Sequence, residues 1–183
     1  EQATALAEKY FGTWQTVEIP VQTLPSVDAP AQHAIYLFDK QDAPQSEIRI
    51  GSIAPDRGSL DYYPLQLTNT LLGGAFSARL NLNLRENKGY TYGAFCGLTM
   101  AKGYGNWVAN AGVQSKYTKE SLVEFRKEIE GLGGAIPVTQ DELRNMQDNL
   151  TRGYLQNFES SGMVVNQLAP LVTYGLPFTE LDT

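Results

Sequence analysis

Residues 71–93 read LLGGAFSARLNLNLRENKGYTYG, and the way this stretch folds decides the rest of the chain. A leucine-rich run stops at Gly73-Gly74. Paired glycines permit backbone angles that other residues avoid, so one helix is expected to end there and another to begin. Phe76, Leu80 and Leu84 recur every four residues, which predicts one buried helical face with Arg79 and Arg85 on others. Gly89 breaks that period, and from Tyr90 the sequence GYTYGAFCGLT alternates as a strand does. The segment therefore predicts a helix delivering Arg85 and a strand delivering Tyr92 into one neighbourhood.

The chemistry open to Arg85 and Tyr92 is stabilisation of developing negative charge. A guanidinium holds its donors in a fixed fork, and a phenol donates one further hydrogen bond. Aimed at a scissile carbonyl they would act as oxyanion donors, one of which is worth about 3 kcal/mol. The plainer reading is a core tyrosine and a surface arginine in an ordinary ion pair. Tyr90, two residues before Tyr92 on the expected strand, shares its face and competes for the role. Glu86 adjoins Arg85 and could orient its guanidinium, but adjacent helical residues do not face each other, so it is assigned no catalytic role.

Outward from this stretch, residues 1–14 read as an amphipathic helix with Ala3, Leu6, Ala7, Tyr10 and Phe11 on one side. A linker carrying Pro20, Pro25 and Pro30 follows to about Gln32. HAIYLFD (33–39) and QSEIRIGSIA (45–54) are expected strands, and residues 59–72 a helix that tolerates Pro64 in its first turn. Residues 89–100 and 104–113 predict an antiparallel hairpin turning near Lys102-Gly103, with Trp107, Ala109, Ala111 and Val113 on one face.

A helix from Thr118 buries Leu122, Phe125, Ile129 and Leu132, with Glu124, Lys127, Glu128 and Glu130 on a solvated face, and ends at Gly133-Gly134. Thr139 and Glu142 form a capping box that opens a long last helix, bent or broken near Ser160-Ser161-Gly162. Asp61-Tyr62-Tyr63 reads as a helix start with packing rings. The order predicts an α+β fold, a mainly antiparallel sheet covered by helices on one face.

Composition narrows the function. At 183 residues and 42% hydrophobic positions the chain can bury a core of its own. Twenty acidic against fourteen basic residues give a net charge of −6, which argues against a nucleic-acid partner. No apolar run is long enough to span a bilayer, and the first residues do not read as a signal peptide. One histidine, His33, and one cysteine, Cys96, fall far short of the three ligands of a catalytic zinc, and neither H-E-x-x-H nor H-x-x-E-H occurs. His33 reads as an ordinary residue at a strand start.

The glycine turn followed by ARL, LRE, KG and YG resembles the signature of the second half of M16 zinc peptidases, the inverted-zincin family of pitrilysin and the mitochondrial processing peptidase. ALAEKYFG, the proline-bearing linker, Gln45 with Ile48 and Gly51, and DELRNMQDNL extend the resemblance over nearly the whole chain. It implies a LuxS/MPP-like metallohydrolase half-domain at 33–183, preceded by the tail helix of the other half (1–15) and a linker (16–32).

Functionally, the resemblance implies that Arg85 and Tyr92 bind the peptide carbonyl and steady the tetrahedral oxyanion. Gly73 and Gly74 then shape the turn, and Arg79 supports the fold. The zinc, its H-x-x-E-H ligands and the glutamate base lie in the partner half, fused or separate, so this chain binds no metal and is inactive alone. The alternative is a non-catalytic scaffold subunit. The partners the peptidase reading implies are the zinc-bearing half and a peptide. Under either reading the isolated chain is inactive, and uncovered docking surface could pair it as a homodimer. Bacterial periplasm and cytoplasm are equally compatible with the sequence.

Overall fold

The computed structural model describes residues 1–20, 23–28 and 30–182. Val21, Gln22 and Ala29 of the expected linker, and Thr183 at the end of the expected domain, lie outside the described residues. The centre is a three-stranded antiparallel sheet in the order β1 (Gln45–Ala54), β3 (Gly105–Gln114), β2 (Phe95–Thr99). Ile48 faces Ala111, Ile50 faces Ala109 and Cys96 faces Ala109 across the sheet, so alternation in each strand places one apolar set on one face.

Helices cover that face. The core unites Ile48, Cys96, Ala109, Ala111 and Val113 of the sheet with Leu72, Leu80, Leu84 and Phe125 of the helices. Leu72 belongs to a π-helical turn, Thr70–Gly74, that prolongs α2 (Tyr62–Asn69). Leu80 and Leu84 come from α3 (Arg79–Asn81) and its π-helical continuation Leu82–Asn87, and Phe125 from α4 (Thr118–Leu132). These are the helices, the hairpin and the one-sided cover that periodicity predicts, and Pro64 lies in the first turn of α2. The capping box forms: the Thr139 hydroxyl accepts from Glu142 N, and Glu142 accepts from Thr139 N at 2.9 Å. The long last helix divides into α5 (Gln140–Tyr154) and α6 (Ser161–Tyr174), with Ser160 capping the second.

Several expectations are corrected. HAIYLFD forms no strand: residues 33–39 are irregular, and Ile35, Tyr36, Leu37 and Phe38 are all more than 80% exposed. Its β-branched and aromatic residues favour extended backbone, yet a strand exists only where a neighbour completes its hydrogen bonds, and among the described residues β1 pairs with β3 alone. The N-terminal helix (Gln2–Phe11) forms as predicted but buries nothing. On α4 the buried stripe is Ser121, Phe125 and Glu128, while Leu122 is exposed. Glu128 is not solvated. Asn83, buried on the π-helical turn, donates to Glu128 Oε1 at 2.6 Å and to Glu124 Oε2 at 2.9 Å, satisfying carboxylates that the charge pattern assigns to water.

Candidate functional site

The helix that carries Arg79 and Arg85 starts at Arg79, after an extended Ala78. Leu80 and Leu84 are fully buried, which fixes the faces of their neighbours. Phe76 is not on that face. It sits in the turn before the helix, 61% exposed, because the four-residue spacing orients a side chain only inside continuous helix.

Gly73 is required for closeness rather than for angle. Its φ is not positive, but a Cβ there would lie 2.6 Å from Cys96 N and 2.8 Å from Cys96 Sγ, so the π-helical turn rests directly on strand β2. Gly74 is similarly tight against Asn69, with an added Cβ 3.2 Å from its carbonyl oxygen. After Arg85 the helix closes at Gly89, whose φ of 66° is left-handed. Gly89 N donates to Arg85 O at 3.0 Å and Tyr90 N to Leu84 O at 2.9 Å, which turns the chain sharply back toward the sheet.

Strand β2 begins only at Phe95. Tyr92 therefore lies in a bend between an isolated pairing of Thr91 with Val113 and the strand proper, rather than on a strand shared with Tyr90. The two tyrosines separate completely. Tyr90 stacks on Tyr117 with ring centroids 4.4 Å apart. Tyr92 is 89% exposed, and its hydroxyl makes no hydrogen bond among the described residues. Its backbone is nonetheless held: the Thr91 hydroxyl lies 2.8 Å from Gly112 O and accepts from Gly93 N, and Ala94 N donates to Asn81 Oδ1.

The two arginines separate as well. Arg79 spends its guanidinium inside the protein, donating to both Glu142 carboxylate oxygens at 2.7 Å, to Ile136 O at 2.7 Å and to Pro137 O at 3.0 Å. The hydrogen bonds from Arg79 hold the Glu142 carboxyl down to about 2. Arg85 is about one-third exposed and makes two contacts: Nε lies 3.3 Å from Glu86 Oε1, and the guanidinium carbon sits 4.5 Å from the Phe76 ring centroid. Glu86 thus reaches Arg85, the orienting contact that its adjacency allows, although neighbouring residues on an ideal helix do not face each other. The terminal nitrogens of Arg85 donate to nothing among the described residues.

No group of three His, Cys, Asp or Glu that could hold a metal exists among the described residues. His33 is exposed in the unpaired segment. Cys96 is buried, its thiol directed at Asn69 O and pushed up to about 11 by desolvation. The described residues offer zinc no ligand set. Asp61-Tyr62-Tyr63 is structural: Arg57 lies over the Tyr62 ring and bonds Glu180, and Tyr63 donates to Glu180 O. Phe76, Asn81 and Asn83 are the site neighbours that the sequence reading missed. Two asparagines among the leucines of RLNLNLR are the signal for buried polar anchors.

The profile of the peptidase M16 inactive domain matches residues 1–150. The chain belongs to the peptidase M16 inactive-domain family. It is 25% identical over 161 residues to a Bacillus subtilis protein named as the uncharacterized zinc protease YmxG, covering 84% of this chain and 36% of that one. The M16 inactive domain of Pseudomonas fluorescens superposes with a TM-score of 0.71 at 26% identity, over 76% of this chain and 33% of that one. A protease from Helicobacter pylori superposes at 0.73 with 20% identity, over 95% of this chain and 43% of that one, a likeness of fold. This M16 domain spans about a third of the length of the curated relatives it matches.

Proposed function

We propose that this domain is the half of an M16 zinc peptidase that holds the peptide and stabilises the transition state, with Arg85 and Tyr92 as donors to the scissile carbonyl oxygen. The zinc belongs to a separate H-x-x-E-H half, in the same polypeptide or in another subunit. The observation that supports this is selective availability. Where Arg79 and Asn81 are hydrogen-bonded inside the protein and Tyr90 is stacked on Tyr117, the exposed Tyr92 hydroxyl and the Arg85 terminal nitrogens make no hydrogen bond among the described residues. Both groups donate hydrogen bonds of the kind an oxyanion accepts.

Under this reading the domain alone hydrolyses nothing, and residues 1–15 and 16–32 are the tail of the other half and the linker from it. The wholly uncovered helix Gln2–Phe11 supports that division. The test is peptide hydrolysis by the parent protein, or by the reconstituted pair, with and without Tyr92→Phe. A fall in kcat of roughly a hundredfold with KM little changed is expected. An unaltered kcat would sink the assignment, and an inert unmutated assembly would identify a scaffold.

A further inference from the structure

Arg85 projects from the end of its helix, and its guanidinium carbon sits over one ring. Phe76, nine residues earlier, is 61% exposed and has its ring centroid 4.5 Å from the Arg85 guanidinium carbon. A ring so exposed gains little from burial where it stands, but a cation over an aromatic face has a preferred orientation. Phe76 is not loose. The fully buried Asn81 donates from Nδ2 to Phe76 O at 2.7 Å and accepts from Ala94 N at Oδ1 at 3.2 Å. One carboxamide therefore joins the turn beneath Arg85 to the backbone two residues beyond Tyr92.

We propose that Phe76 is a positioning residue that holds the Arg85 guanidinium, and that Asn81 is the buried anchor setting Phe76 and Tyr92 in register. Neither touches the reacting atoms. This inference rests on the oxyanion reading above, and it adds the two residues that preorganise the donors.

The test pairs kinetics of the parent protein or reconstituted pair with nuclear magnetic resonance of this chain. Phe76→Leu is expected to lower kcat about tenfold with KM little changed. It should also shift the Arg85 Nε–H resonance downfield as the ring current is lost, and leave the melting temperature in place. Phe76→Trp should restore both kcat and the shift, which a merely structural role would not do. Asn81→Asp keeps the acceptor for Ala94 N and loses the donor to Phe76 O, so it should lower kcat while moving the same resonance. Wild-type kcat in Phe76→Leu alongside an impaired Tyr92→Phe protein overturns the positioning role alone. A Phe76→Leu loss that tryptophan does not rescue, with the Arg85 resonance unmoved, also overturns it. A fully active Tyr92→Phe protein instead removes the oxyanion reading, and the Arg85 resonance still reports whether Phe76 holds the guanidinium.

Discussion

Arg79 and Arg85 stand six residues apart on one helix and live in opposite surroundings. Arg79 has a side chain only 10% exposed, with a bidentate carboxylate and two backbone carbonyls as partners. Arg85 is left with a ring, an adjacent carboxylate and terminal nitrogens unbonded among the described residues. The same contrast separates Tyr90, stacked on Tyr117, from the exposed Tyr92. The comparison teaches that the framework uses one member of each pair to lock the segment to α5, to Tyr117 and to the end of β3, and that this locking lets the other member stand exposed at a defined place.

Replacing the framework member should hurt folding, and replacing the exposed one should not. Arg79→Met strands Glu142 and two carbonyls and is expected to destabilise the chain by about 3 kcal/mol in urea unfolding, whereas Arg85→Met should stay within about 0.5 kcal/mol. Gly73→Ala forces a Cβ against the Cys96 backbone and should lower stability by about 2 kcal/mol. Acid sharpens the contrast further. The Glu142 carboxyl sits at about 2 in the folded protein against an ordinary 4.5, so its contribution is complete above 4.5 and lost as pH falls toward 2. Unfolding curves over that window should show the loss in the unmutated chain and a smaller one in Arg79→Met. Tyr90→Leu removes the stack on Tyr117 and should destabilise by about 1 kcal/mol, while Tyr92→Phe should leave the melting temperature where it was.

Most of this framework is legible in the sequence because it depends on local pattern. The β3 alternation, the Thr139/Glu142 box and Pro64 in the first turn of α2 are all short-range signals, and all are found in the structure. What is not legible depends on neighbours. HAIYLFD has strand composition but no adjacent strand among the described residues. Phe76 keeps the spacing of Leu80 and Leu84, yet it precedes the helix start and so points elsewhere. Gly73 reads as a turn glycine and proves to be a close-approach glycine, since the strand lying against it is distant in sequence. Glu128 looks solvated until Asn83 is placed opposite it. At the candidate site the spacing of Arg85 and Tyr92 is visible in the sequence, but the exposure of Tyr92 outside the strand and the separation of Arg85 from the internally bonded Arg79 are visible only in the structure.

The most direct measurement is a double-mutant cycle on kcat in the parent protein or reconstituted pair, using Arg85→Met, Tyr92→Phe and the two together. If both side chains serve one developing charge, each single variant loses roughly a hundredfold and the double variant loses far less than the product of the two. Wild-type kcat in either single variant would contradict the account.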